Sequence, residues 1–386
     1  MAEPIRALWG RVVTDGQALP PSRLEIADGR IARLEASSAP GDADVVVEQG
    51  WLAPGLIDVQ VNGAGGVDLT SARDPARALQ QVAHTLAQHG VTAFCPTVVS
   101  SPADLVVDRV CAFRPRHIEG GAACLGAHIE GPFISPVRRG VHDPSVLRDA
   151  ALDEIQAWLE NGPPAIVTLA PERPGGLEAI RRLVAAGVVV SLGHSDATSD
   201  QARDGLEAGA RLGTHLFNAM PPLQHRAPGL VGALLADSRA RVGIIVDGVH
   251  LDPLIVDLVV RRAGVGRVIL VSDALAAAGA PAGESVLGDQ VVVSDGLTVR
   301  RTDGTLAGCV LLLDGCLRTA RRWLPDLELA EVVRMATQTP AEALGLRTKG
   351  RVAVGQDADL VVLDANCQVR QTIVRGVTVA PAEVAV

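Results

Sequence analysis

The spacing of hydrophobic residues changes twice along this chain. Near the N-terminus, RALWGRVVTDG alternates apolar and polar side chains, and RLEIADGRIARLE sets an Asp28-Gly29 turn between two alternating runs. Alternation turns one face of a strand to a core and the other to water, and Asp-Gly readily takes the positive φ angles of a tight hairpin. VVVEQGWLAPG then leads out through Pro54-Gly55, and GRVAVGQDADLVVLDANCQVRQTIVRGVTV near the other end repeats the strand-turn-strand pattern. Two β-rich ends around a different middle predict one small β-sandwich domain built from residues 1–54 and 346–386.

Residues 55–345 follow another rule. Short apolar runs at 56–61, 93–99, 125–129, 166–169, 188–192, 212–215, 242–246 and 268–271 alternate with stretches such as PARALQQVAHTLAQHG and LEAIRRLVAAG. Those stretches carry apolar residues at helical spacing and end in glycine, a helix stop. Eight strand-crossover units predict an α/β fold, a (β/α)8 TIM-like barrel. An open doubly wound sheet is the rival, but no GxGxxG opens a helix after a strand.

Composition narrows this reading. Aromatic residues are 2% of the chain and tyrosine is absent, so Ala, Val, Leu and Ile must fill the core, as they do inside such barrels. The net charge of −9 lacks basic blocks, which argues against nucleic acid as a partner. The apolar runs are too short to span a bilayer, and MAEPIRALWG lacks the basic-then-apolar pattern of a secretory leader. Six cysteines without CxxC spacing, most of them inside apolar runs, read as small hydrophobes. A cytoplasmic location is expected.

In a barrel, chemistry gathers just beyond the C-terminal ends of the strands. Glu130 follows LGAHI, His194 follows VVVSLG, His215 follows ARLGT, His250 follows VGIIVDGV and Asp273 follows RVILVS. One histidine after a strand is commonly structural; several ligand-type residues in phase with consecutive strands are not. A carboxylate with two imidazoles suits catalytic zinc or iron. Asp273 could move protons, although an Asp before the Ala-rich stretch could equally cap a helix. In the loop THLFNAMPPLQHRAPGL, Asn218, the backbone at Ala219 and Arg226 could bind a phosphate or sugar, or Arg226 could simply be solvated.

PGLIDVQVNGAGG, HIEGP, RRGVHDP, LGHS, THLFNAMP, HRAPGL, VDGVH, VSDA and DGTLAG occur in that order between residues 54 and 308, and the likeness they carry runs from about residue 5 to residue 380. In this the chain resembles the N-acetylglucosamine-6-phosphate deacetylases of the amidohydrolase superfamily. The resemblance implies hydrolysis of the N-acetyl group of a 6-phosphorylated amino sugar in amino-sugar catabolism. It makes Glu130, His194 and His215 the metal ligands and Asp273 the base and then the acid. It gives His142 a place at the amide carbonyl, so that His142 and Asp273 are the expected catalytic pair. Val141, Asn218, Ala219, Arg226, Asp247, His250 and the Leu306-Ala307-Gly308 turn become substrate contacts. It also implies a homodimer in which Arg226 reaches the neighbouring site.

One departure concerns the first barrel strand. Many amidohydrolases carry HxH there and bind a second metal; this chain has Gln60 and Asn62. Amides are poor ligands beside imidazoles, so one divalent ion per subunit is expected, zinc first, with iron or cobalt as alternatives. His128 shares a strand face with Glu130 and is expected to support it or fill the core. The alternatives to the leading reading are a deacetylase for another N-acyl hexosamine phosphate, such as N-acetylgalactosamine 6-phosphate, and a non-catalytic scaffold on the same fold.

Overall fold

The computed structural model describes residues 4–42 and 44–379. The segment 380–386, expected to complete the small domain, lies outside the described residues.

Both ends of the described chain enter one seven-stranded sheet, in the order Val377–Val379, Val369–Val374, Leu360–Leu363, Val45–Pro54, Ala7–Thr14, Gln17–Ala27, Arg30–Ala36. The halves meet at Val45–Pro54, which runs parallel to Ala7–Thr14 and antiparallel to Leu360–Leu363. The expected hairpin is present, with Asp28 at φ 53° and Gly29 at φ 72°, both positive as a primed turn requires. Alternate residues bury Leu8, Leu24, Ile31, Leu52, Leu360 and Ile373 in a core separate from the barrel's. The sheet curls on itself, so that Arg30 on the edge strand bridges to Asp357. The expected sandwich is therefore one rolled sheet.

Eight parallel strands form the barrel: Leu56–Val61, Val91–Val99, His128–Glu130, Ile166–Leu169, Val189–Leu192, Leu212–Gly213, Arg241–Ile244 and Val268–Leu270. They are numbered one to eight in that order below. Backbone hydrogen bonds between the segments after the first and eighth strands close the ring. The Asp273 N–H donates to the Gln60 carbonyl at 3.1 Å, and the Asn62 N–H donates to the Ala274 carbonyl at 2.8 Å. Helices pack outside with their apolar stripes inward. In Pro75–Gln88, whose N-cap Asp74 accepts from the Arg77 N–H, the stripe is Leu79, Val82, Ala83 and Leu86.

Strand ends differ from the expected runs where the backbone leaves the pleat. Gly126, at φ 113°, delays the third strand to His128, and the sixth stops at Gly213 because His215 is at φ 28°. The pattern reading passed over a three-stranded antiparallel sheet, Gly283–Leu287, Gln290–Ser294 and Val299–Arg301, inserted after the eighth strand. Among the described residues, no helix is long and apolar enough to cross a membrane.

Candidate active site

Glu130 ends the third strand, while His194 and His215 lie two residues beyond the fifth and sixth. Neighbouring strand ends thus aim these side chains at one point. The Glu130 Oε1 lies 3.3 Å from His194 Nε2 and 3.1 Å from His215 Nε2, and the two Nε2 atoms are 3.1 Å apart. All three residues are buried, and one donor atom from each falls within 4.8 Å of the others. Burial alone would push the Glu130 carboxyl up, but the His194 and His215 rings beside it hold it well below the usual range. His194 Nδ1 donates to the Arg138 carbonyl at 2.9 Å, which leaves the Nε2 lone pair facing the cluster. Three convergent lone-pair donors, one of them anionic, fit a divalent cation. His194, His215 and Asp273 all have positive φ, at 47°, 28° and 50°. For residues other than glycine this is strained backbone of the kind that gathers at functional sites.

Gln60 supplies an amide donor on the first strand. Its Nε2 donates to Glu130 Oε1 at 2.9 Å, so it braces the carboxylate. Asn62 Nδ2 donates to Asp273 Oδ1 at 2.7 Å. His128 is buried with both ring nitrogens engaged, by the Val59 carbonyl at 2.9 Å and Thr168 Oγ1 at 2.7 Å.

Asp273 caps no helix; the segment after it forms a bridge and turns. Burial, followed by repulsion from Glu130, pushes its carboxyl up to about 8. A carboxyl held near neutrality can both take and return a proton. His142 lies in the loop after the third strand with its ring against that of His194, the centroids 4.6 Å apart. Its Nδ1 receives the Ser100 N–H at 3.2 Å and lies 2.7 Å from Ser100 Oγ. A backbone N–H can only donate, so Nδ1 is an acceptor and the ring proton sits on Nε2. Burial and the His194 ring push His142 down to about 3, which keeps it neutral. It therefore presents an N–H donor. Ser100 escaped the sequence reading; the only available signal was a polar residue just past the second strand.

These groups line a cavity of about 280 Å³ together with Val141, Asn218, Ala219, His250, Leu306, Ala307 and Gly308. His250 is held by Asp247, whose Oδ2 accepts from His250 Nδ1 at 2.7 Å and whose Oδ1 accepts from the His250 N–H at 2.9 Å. Burial pushes the Asp247 carboxyl up, but His250 and these hydrogen bonds outweigh it and hold it at about 2. Asp247 thus orients His250 from behind rather than lining the cavity. Arg226 is exposed and is not among the cavity-lining residues of this chain. The sequence reading also missed Val99 and Leu287, two apolar members of the lining.

A closed parallel barrel with a carboxylate-imidazole cluster and a buried aspartate at its strand ends defines a metal-type hydrolase of the amidohydrolase class. The amidohydrolase family model matches residues 51–379. The human N-acetylglucosamine-6-phosphate deacetylase is 40% identical over 98% of this chain and 92% of its own length. An N-acetylgalactosamine-6-phosphate deacetylase of Escherichia coli O157:H7 is 36% identical over 95% of this chain and 97% of its own. Among solved structures, an Asp-to-Ala mutant of the Mycobacterium smegmatis N-acetyl-D-glucosamine-6-phosphate deacetylase, in complex with N-acetyl-D-glucosamine-6-phosphate, superposes with a TM-score of 0.91. It is 35% identical, over 98% of this chain and all of that one. The chain belongs to the N-acetylglucosamine-6-phosphate deacetylase family.

Proposed function

We infer that the chain hydrolyses the amide of N-acetylglucosamine 6-phosphate to acetate and glucosamine 6-phosphate, a step of amino-sugar catabolism. The observation that carries this is the meeting, in one cavity, of Glu130, His194 and His215 with Asp273 and the donor imidazole of His142. Glu130, His194 and His215 would hold one divalent ion, zinc before iron or cobalt. Bound there, such an ion would supply Lewis acidity toward the amide carbonyl and toward water at neutral pH.

The chain's own groups do the rest. His142 Nε2–H donates to the carbonyl oxygen as charge develops there. Asp273 takes a proton from the attacking water, whose oxygen bonds to the acyl carbon, and returns it to the nitrogen as the C–N bond breaks. Asn62 holds the Asp273 carboxylate in position. Asn218, the Ala219 amide and His250 orient the sugar phosphate from the sixth- and seventh-strand loops. Arg226, exposed here, completes the phosphate site of a partner subunit in a cytoplasmic homodimer.

Acetate release, measured with N-acetylglucosamine 6-phosphate, its galactosamine epimer and unphosphorylated N-acetylglucosamine, tests the reading. The 36% identity to an N-acetylgalactosamine-6-phosphate deacetylase is why the epimer belongs in the set. Strong preference for the glucosamine phosphate is expected. Asp273→Asn should retain metal while losing at least about 10²–10⁴-fold in turnover. Wild type without preference for the phosphate would overturn the assignment, and near-normal turnover of Asp273→Asn would remove Asp273 from the chemistry.

A further inference from the structure

We propose that Leu287 and Val99 form the wall that limits the length of the acyl group this site accepts. The proposal rests on the deacetylase reading above and deepens it.

In an eight-stranded ring the second strand stands opposite the sixth. The groups suited to the sugar phosphate, Asn218 and Ala219, follow the sixth strand, and His250 follows the seventh. The scissile carbonyl must lie near Glu130, His194, His215 and Asp273 with its oxygen toward His142. The sugar then points to strands six and seven, and the acyl carbons point to the far side. There Val99, the last residue of the second strand, lines the cavity, and Leu287 reaches it from the inserted sheet. Both are buried and belong, with Val141 and Ala307, to an apolar cluster separate from the barrel core.

Leu287 is fixed from two sides. Gln290 faces it across the hairpin, and the next residue, Gly288, donates its N–H to Asp68 Oδ2 at 3.4 Å. The Gly288 backbone, at φ 60°, passes so close to Val99 that an added Cβ would sit 3.1 Å from Val99 Cγ2. Hairpin tip and strand end therefore make one continuous surface. An acetyl methyl meets that surface; a longer chain must displace Leu287 or Val99. One methylene more or less in a hydrophobic pocket is worth about 10–200-fold in discrimination. A longer acyl group would be cleaved by the same step: the water oxygen joins the acyl carbon, the C–N bond breaks and the proton passes to the amine, with no further reactant.

The experiment compares kcat/KM for N-acetyl-, N-propionyl- and N-butyryl-glucosamine 6-phosphate, using the full-length metal-loaded enzyme. Wild type should prefer acetyl. Leu287→Ala should raise the propionyl-to-acetyl ratio by about tenfold or more. Val99→Ala should move it the same way and keeps the test available if Leu287→Ala does not fold. Affinities of the same substrates for Asp273→Asn, with and without Leu287→Ala, give a readout free of turnover and should shift in parallel. A wild type that cleaves propionyl as well as acetyl, or ratios that stay put in folded Leu287→Ala and Val99→Ala, would overturn the wall. Failure of wild type to release acetate from N-acetylglucosamine 6-phosphate would instead sink the functional reading beneath it.

Discussion

His142 offers a quantitative test because two hydrogen bonds of known geometry set which nitrogen carries its proton. The Ser100 N–H approaches Nδ1 at 3.2 Å and the hydroxyl lies at 2.7 Å, so the ring proton is on Nε2 of a residue that lines the cavity. Removing an oxyanion-type donor costs about 10²–10³ in kcat, so His142→Ala should lose that much. Ser100→Ala is gentler. It deletes the hydroxyl but leaves the backbone N–H, which alone still enforces the acceptor role of Nδ1. One neutral hydrogen bond is worth about 0.5–1.5 kcal/mol, and 1.36 kcal/mol is a factor of ten. Ser100→Ala should therefore lower kcat by roughly two- to tenfold, with less change in KM. The decisive comparison is the double variant, assayed by steady-state acetate release at neutral pH. If Ser100 acts through the imidazole, His142→Ala with Ser100→Ala is no slower than His142→Ala alone. Effects that multiply would show that Ser100 acts by another route and that the tautomer argument is wrong.

Other groups give separate expectations. Gln60→Leu removes the brace on Glu130, and loss of such a support costs about 10–100-fold in metal affinity, to be read by competition with a chelator; unchanged affinity would reduce Gln60 to a filler. Arg226→Ala should lower kcat/KM for the phosphorylated sugar by roughly one to two decades and barely touch the unphosphorylated one. Equal losses on both substrates would assign Arg226 to the fold or the dimer instead. Asp58 is fully buried against Ser272, and burial raises its carboxyl to about 7. A raised carboxyl binds its proton more tightly when folded. Its stabilising contribution is therefore complete below the unfolded value of 3.8 and is lost as pH climbs through about 7. Relative to Asp58→Asn, wild type should lose thermal stability between pH 5.5 and 7.5; parallel curves would contradict the shift.

Much of the site could be read from the sequence because a barrel carries residues after its strands to one face. That rule places Glu130, His194, His215, His250 and Asp273 together, while the division of roles among them came from the family resemblance. The bracing amides were harder. Gln60 and Asn62 were legible as poor ligands, but their donation to Glu130 and Asp273 depends on strands distant in sequence. Ser100 looked like any serine opening a loop, since nothing local says that His142 will fold back onto it. The inserted sheet was legible in principle, because ESVLGDQVVVSDGLTVR alternates around Gly-Asp and Asp-Gly turns. Its strands are short beside the stronger barrel repeat, and Leu287 ends the first of them. Arg226 shows a different limit: its loop was recognisable, but the side chain is exposed and stands outside the cavity lining of this chain.

The pairing of Val45–Pro54 with Leu360–Leu363 also sets an order of events during synthesis. The N-terminal strands leave the ribosome with one side of Val45–Pro54 unpaired, and the missing neighbour is roughly 300 residues away. At translation rates of about 5–20 residues per second, that edge waits on the order of 15–60 s while the barrel emerges. An unpaired strand rich in valine can pair with a like strand from another chain. Nascent chains stalled before Leu360 should therefore be the ones that aggregate, even after the catalytic barrel has been made.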